Sequence, residues 1–120
     1  MNILIVDDEI EICSIFYDFF TPKGHNVMKA TSGKEALEIL KKQKPNLVFL
    51  DIRMPEMGGI EVLKEIKKID NSIVVIMVTV VNDEIMAKKA IKLGAYDYVT
   101  KPLSFDYLEK AAILADLGLN

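Results

Sequence analysis

The sequence alternates five short apolar runs with longer segments in which apolar residues recur at helical spacing. This alternation constrains the fold more than any other feature, because parallel strands need crossover connections and these are usually helices. It predicts strands over residues 3–6, 25–30, 46–50, 73–78 and 96–99. We therefore expect an α/β fold in which helices cover both faces of a parallel sheet.

The hydrophobicity of the runs distinguishes central strands from edge strands. The first, third and fourth runs are continuously apolar, as expected for strands that are buried on both faces. The second and fifth runs are weaker, which predicts that they lie at the edges. Periodicity alone leaves the strand order open, and 2-1-3-4-5 is one of the two common doubly wound arrangements.

Local signals predict where the helices begin and end. Asp8 with Glu11, and Ser32 with Glu35, have the spacing of capping boxes for the first two helices. Apolar spacing predicts a third helix over residues 60–69. The run Asn82, Asp83 and Glu84 is predicted to start the fourth helix and Gly94 to end it, while Ser104 is predicted to cap a fifth helix that ends near Leu117.

Length and composition exclude several classes of protein. The 120 residues fit one domain, which we expect to span residues 1–120. The net charge of -3 means that the chain lacks the excess of basic residues typical of a nucleic-acid binder. The longest apolar run, residues 73–81, is too short for a membrane helix, and the first residues do not resemble a secretory signal. These features predict a cytoplasmic domain. The single cysteine, Cys13, excludes an internal disulfide and is expected to be a small core residue.

Polar residues follow four of the five strands, at the point where each strand ends. They are Asp7, Asp8 and Glu9 after the first strand, Asp51 after the third, Thr79 after the fourth, and Thr100 and Lys101 after the fifth. Ligands of open parallel sheets bind beyond these carboxyl ends, so the side chains are predicted to converge. Neighbouring carboxylates repel one another unless a proton or a cation offsets their charge, and oxygen ligands favour Mg2+.

Each of these residues also has an ordinary structural explanation. Asp7 and Asp8 are common types at helix N-termini, Thr79 is a β-former and Lys101 is a typical surface charge. Their joint placement at the ends of different strands is what favours a functional site over these explanations.

Four segments together resemble the receiver domain of two-component response regulators. They are Asp7-Asp8-Glu9, residues 50–59, Val78-Thr79 and residues 98–102. The resemblance covers essentially the whole chain, and it implies a flavodoxin-like doubly wound (βα)5 fold with a five-stranded parallel sheet in the order 2-1-3-4-5.

The resemblance implies a phosphorylatable switch rather than a conventional enzyme. Asp51 would accept a phosphoryl group from the phosphohistidine of a sensor histidine kinase or a phosphotransfer protein. The implied ligands of Mg2+ are Asp7, Asp8, Asp51 and the backbone carbonyl of Arg53. Lys101 and Thr79 would hold phosphoryl oxygens, and Tyr98 would turn into the space that Thr79 vacates.

The same resemblance implies where the signal leaves the domain. The output surface would comprise the fourth helix, the fifth strand and the fifth helix, roughly residues 82–117. An effector domain outside this chain, or a phosphorylation-dependent homodimer, would receive the signal there. The Lys101-Pro102 bond is commonly cis in this family.

Three residues depart from the family pattern. Val80 stands where a small residue is usual, and its branched side chain is expected to slow the entry and loss of the phosphoryl group. Arg53 and Val81 stand at positions that influence hydrolysis, and neither is suited to orienting water. We therefore expect a relatively long-lived phosphoaspartate.

Three other functions are less compatible with these residues. An Asp-nucleophile phosphatase usually has a second aspartate where Arg53 stands, and a flavin binder needs a hydroxyl- and glycine-rich loop where Asp7-Asp8-Glu9 would repel phosphate. A receiver-like docking module that works without phosphorylation is supported only by Val80.

Overall fold

The computed structural model describes residues 1–80 and 83–118. Within these residues five strands alternate with five α-helices, and the predicted bounds of the strands and of the third helix lie within one residue of the observed ones. The elements are β1 (Asn2–Val6), α1 (Ile10–Phe20), β2 (Asn26–Ala30), α2 (Gly33–Lys42), β3 (Leu47–Asp51), α3 (Gly59–Ile69), β4 (Val74–Thr79), α4 (Glu84–Lys92), β5 (Asp97–Thr100) and α5 (Phe105–Asp116).

The five strands form one parallel sheet in the order β2-β1-β3-β4-β5, which confirms the flavodoxin-like α/β fold and the order 2-1-3-4-5. The register aligns the carboxyl ends of neighbouring strands, since Asp51 is opposite Val78 and Thr79 is opposite Thr100. This alignment brings the polar residues that follow the strands to one edge of the sheet.

Burial confirms the predicted central and edge strands. β3 and β4 are buried along their whole length, and β1 is buried except at Asn2, whereas β2 and β5 are partly exposed. One apolar cluster packs beneath α2, α3 and α4. A second packs beneath α1 and α5, where the ring centroid of Phe49 lies 4.8 Å from that of Phe16 and 5.7 Å from that of Phe20. The packed sheet therefore positions the residues at its carboxyl edge.

The predicted caps of α2 and α5 are confirmed. The Ser32 hydroxyl accepts a hydrogen bond from the Glu35 amide at 3.1 Å, and the Ser104 hydroxyl accepts one from the Tyr107 amide at 3.3 Å. Gly94 follows α4 with a φ of 112°, a left-handed conformation that favours glycine, as expected for the residue that ends this helix.

The capping box predicted for α1 is wrong. The N-cap residue is Glu9, and no side chain caps the helix. Instead, Oδ1 of Asp7 accepts a hydrogen bond from the Glu9 amide at 2.9 Å, and Asp8 remains exposed at the edge of the sheet. The helix starts later than predicted because Asp7 already forms the turn that leads into it.

Other local expectations have mixed outcomes. Cys13 is buried, with 1% of its surface exposed, and burial raises the pKa of its thiol to about 11. The Lys101-Pro102 bond is cis. The predictions for Val81 and Asn82 lie outside the described residues.

None of the helices in the described part of the chain has the length and hydrophobicity needed to cross a membrane.

Candidate functional site

Three carboxylates meet where β1 and β3 end. Asp7 and Asp51 are 2% and 7% exposed, while Asp8 is exposed to solvent. Each of the three offers a carboxylate oxygen, and these oxygens all lie within 4.8 Å of one another. They meet because β1 and β3 are neighbours in the sheet with aligned ends. Oxygen donors at this spacing suit a hard divalent cation.

The Asp51 carboxyl group is poorly suited to ionisation in the absence of a cation. Burial raises its pKa to about 7, and the negative charge of Asp7 adds to this shift. The charge of Lys101 and the hydrogen bond from the Arg53 amide, which is 3.3 Å from Oδ1, act in the opposite direction. Burial also raises the pKa of Asp7, although the Glu9 amide and Lys101 oppose that shift.

Lys101 brings a positive charge into this cluster. Its Nζ atom is 3.2 Å from Oδ2 of Asp7 and 3.3 Å from Oε1 of Glu9, and the side chain is 18% exposed. Burial alone lowers the pKa of the ammonium group, but the charges of Asp7 and Asp51 outweigh it and raise that pKa. The Lys101 amide donates to the Thr79 carbonyl at 2.8 Å, which fixes the lysine beside the end of β4.

A cavity of about 190 Å³ lies at this edge of the sheet, and its wall includes Asp51, Thr79, Val80 and Lys101. Thr79 is buried, and its hydroxyl donates to the Val80 carbonyl at 3.2 Å. Val80 is half exposed, so its side chain borders both the cavity and solvent. The structure therefore brings the predicted acceptor, lysine and threonine to one small cavity.

Gly59 allows the chain to turn tightly after Asp51. Its amide donates to the Ile52 carbonyl at 2.8 Å, and a Cβ atom at this position would overlap the Asp51 carbonyl oxygen. The absence of a side chain at Gly59 thus lets α3 begin directly against the end of β3.

Tyr98 lies in β5 and is partly buried against the apolar cluster beneath α2, α3 and α4. It lines a different cavity, of about 320 Å³, together with Tyr107 and Pro102. The structure thus places the predicted switch residue beside the site and not within the carboxylate cluster.

An ion pair that the sequence analysis missed also lines the cavity of about 190 Å³ beside Asp51. The Arg53 guanidinium forms two hydrogen bonds with the Asp83 carboxylate, at 2.6 Å from Nε and 2.7 Å from Nη2. Asp83 is 5% exposed, and hydrogen bonding to it raises the pKa of Arg53. The two residues are thirty positions apart, so no local pattern indicates their contact. The one available signal is that Arg53 is the only arginine in the chain.

The fold and the residues at the carboxyl edge of the sheet define the class of protein. It is a doubly wound α/β domain with an acidic pocket that is consistent with a phosphorylation site. Residues 3–113 match the response regulator receiver domain family, and the chain belongs to that family. A receiver domain is a phosphoaccepting signalling domain and not a classical enzyme. The acidic triad is typical of the Mg2+ site of receiver domains.

Individual relatives agree with this assignment. The chain is 38% identical over 110 residues to sporulation initiation phosphotransferase F of Bacillus subtilis, covering 92% of this chain and 89% of that protein. It is 43% identical over 102 residues to the chemotaxis protein CheY of Thermotoga maritima, covering 84% and 85%. The crystal structure of the receiver domain of NtrX from Brucella abortus superposes with a TM-score of 0.89 at 35% identity, covering 94% and 96%.

Some relatives are much longer than this chain. The transcriptional regulatory protein ZraR of Escherichia coli is 44% identical over 109 residues, which are 91% of this chain and 25% of that protein. The chain thus spans about a quarter of the length of this relative.

Proposed function

We propose that this domain transfers a phosphoryl group from the phosphohistidine of a sensor histidine kinase or a phosphotransfer protein to Asp51, in a reaction that depends on Mg2+. One observation carries the proposal. Asp51 lines a small cavity together with Asp8 and Lys101, and carboxylate oxygens of Asp7, Asp8 and Asp51 all lie within 4.8 Å of one another. Phosphoryl transfer needs mainly positioning and the neutralisation of oxygen charge, and this cavity offers both.

The bond changes follow from the chemistry of the two partners. A carboxylate oxygen of Asp51 attacks phosphorus and forms the new O–P bond. The P–N bond breaks, and its electron pair stays on the imidazole nitrogen of the donor. The Arg53 amide, hydrogen-bonded to Oδ1, orients the carboxylate, and Lys101 holds an oxygen of the incoming group.

The donor set fits a magnesium ion, because it consists of oxygen atoms at short mutual distances. Asp7, Asp8, Asp51 and the backbone carbonyl of Arg53 would hold it. When bound, Mg2+ supplies positive charge that offsets the carboxylates and the phosphoryl oxygens. Its charge also favours the ionised form of Asp51, which burial alone disfavours.

The response of the domain starts at Thr79. Its hydroxyl now donates to the Val80 carbonyl, and we propose that it turns to a phosphoryl oxygen once Asp51 is modified. Tyr98 then moves inward and changes the surface formed by α4, β5 and α5. Ile85 and Tyr96 on this surface are 84% and 39% exposed, which suits contact with an effector domain or a second copy of the domain.

Intact-mass spectrometry after incubation with acetyl phosphate and Mg2+ tests the proposal. We expect one added phosphate, which is absent from Asp51→Asn and from a sample that contains a chelator. The failure of the folded wild-type protein to gain mass under any condition would reject phosphorylation.

That failure would favour the second candidate, a docking module that works without phosphorylation. Its support is the half-exposed Val80 at the border of the cavity. Val80→Ala is then the next protein to test, because recovery of phosphorylation would identify this side chain as the barrier.

A single domain over residues 1–120 and a cytoplasmic location stay predictions.

A further inference from the structure

The ion pair between Arg53 and Asp83 connects the phosphoryl acceptor to the start of α4. At one end, the Arg53 amide is hydrogen-bonded to Asp51. At the other end, the guanidinium donates two hydrogen bonds to the carboxylate of Asp83, the residue directly before Glu84 at the start of α4. One residue thus contacts both the acceptor and the residue that begins a helix of the proposed output surface.

The two partners of this ion pair differ in their freedom to move. The Asp83 side chain is almost fully buried, whereas 74% of the Arg53 side chain is exposed. The arginine can therefore leave the pair by rotating its side chain, but the aspartate cannot follow it without moving the start of α4. Any group that attracts Arg53 more strongly than Asp83 does would separate the two.

A phosphoryl group on Asp51 is such a group. Guanidinium binds carboxylate and phosphate with the same planar pair of donors, so the two anions compete for the same atoms. A phosphoryl group carries about two negative charges near neutral pH, compared with one on a carboxylate. Arg53, Asp51 and Asp83 line the same cavity, and Arg53 is only two residues beyond the acceptor.

We propose that Asp83 competes with the phosphoryl group of Asp51 for the Arg53 guanidinium, so that this ion pair is a latch that holds the start of α4 until phosphorylation opens it. The latch rests on the proposed function, because it needs a phosphoryl group at Asp51. Its opening leaves the Asp83 carboxylate buried without its cation, and such a charge strongly disfavours the original packing. The start of α4 therefore rearranges by a route that does not pass through Thr79.

The single arginine of the chain makes this latch directly observable. Protein labelled with 15N-arginine gives one Nε–H signal, which belongs to Arg53. In the unmodified wild type this signal reports the contact with Asp83, and Asp83→Asn should move it towards the position of a free arginine. On phosphorylation with acetyl phosphate and Mg2+, the wild-type and Asp83→Asn signals should move to one shared position, since both guanidinium groups then contact the phosphoryl group.

The rate of phosphorylation gives a second readout. Asp83→Asn should gain mass about two- to fivefold faster than the wild type, because the arginine no longer has to leave an ion pair. Glu38→Gln is the matched control: it removes one carboxylate charge from an exposed ion pair with Lys41 on α2 and should leave both the signal and the rate unchanged.

The outcomes separate the latch from the proposed function. A wild-type protein that gains one phosphate while its Arg53 signal stays in place overturns the latch alone. A protein that gains no phosphate overturns the proposed function and the latch with it. An Asp83→Asn rate equal to that of the wild type also counts against competition.

Discussion

The Nζ atom of Lys101 lies 3.2 Å from Oδ2 of Asp7, which links the segment after β5 to the end of β1 across two intervening strands. Asp7 is almost fully buried, and its neighbours Asp8 and Asp51 are also acids. The lysine thus offsets part of a concentrated negative charge that would otherwise oppose folding.

Replacing this lysine should destabilise the metal-free protein. At pH 8 with a chelator, Lys101→Met should lose about 1–3 kcal/mol of unfolding free energy, because the buried Asp7 carboxyl group loses the ammonium group that favours its ionised form. Added Mg2+ should recover part of the loss. Urea denaturation with and without Mg2+ measures both effects, with the exposed Lys41→Met as control. A Lys101→Met protein as stable as the wild type in chelator would contradict this electrostatic role.

Asp51→Asn should stabilise the metal-free protein, and the gain should increase with pH. The pKa of Asp51 is raised from 3.8 to about 7 in the folded protein, so folding favours the protonated carboxyl group. Stability is therefore lost as the pH rises from about 4 to 7, and the amide variant avoids that loss. After a discount for solvent screening, we expect the gain to grow by about 1 kcal/mol between pH 5 and pH 8.

Urea denaturation in chelator at the two pH values tests this prediction. Glu38→Gln, which removes an exposed carboxylate on α2, is the control and should show no such growth. A gain for Asp51→Asn that is equal at both pH values, or larger at pH 5, would contradict a raised pKa of this carboxyl group.

Val80→Ala should accelerate both the gain and the loss of the phosphoryl group. The Val80 side chain borders the cavity, so its removal should widen access for acetyl phosphate and water. We expect each rate to rise about two- to fivefold, which corresponds to a decrease of less than about 1 kcal/mol in the activation free energy. Mass-spectrometric time courses measure the two rates. Ile69→Ala, which shortens another partly exposed apolar residue at the end of α3, should change neither.

Gly59→Ala should damage the site while Gly58→Ala does not. A Cβ atom at Gly59 would overlap the Asp51 carbonyl oxygen, whereas at Gly58 the nearest atom would be 3.5 Å away. We expect Gly59→Ala to lose about 2–4 kcal/mol of stability and most phosphorylation, and Gly58→Ala to lose at most about 1 kcal/mol. Thermal unfolding and intact mass compare the two variants. Equal losses would mean that the turn can relax around either side chain.

The helix starts illustrate how far local sequence reasoning extends. The cap of α2 was predictable because Ser32 and Glu35 are three residues apart and interact without help from the rest of the chain. The same spacing at Asp8 and Glu11 is misleading, because the Asp7 side chain closes a turn with the Glu9 amide and Glu9, not Asp8, becomes the N-cap residue. Here the turn at the end of β1, rather than the local spacing, sets the start of α1.

The pattern of residues along the chain is enough to predict the alternation of strands and helices, the central and edge strands, and the edge where Asp7, Asp8, Asp51, Thr79 and Lys101 meet. These features follow from the hydrophobic pattern and from the common direction of parallel strands. Three features follow from the packed fold alone: burial raises the pKa of Asp51, Lys101 pairs with Asp7, and Arg53 contacts Asp83. Burial and contacts between distant residues depend on how the elements pack, and this packing has no signature in a local stretch of sequence.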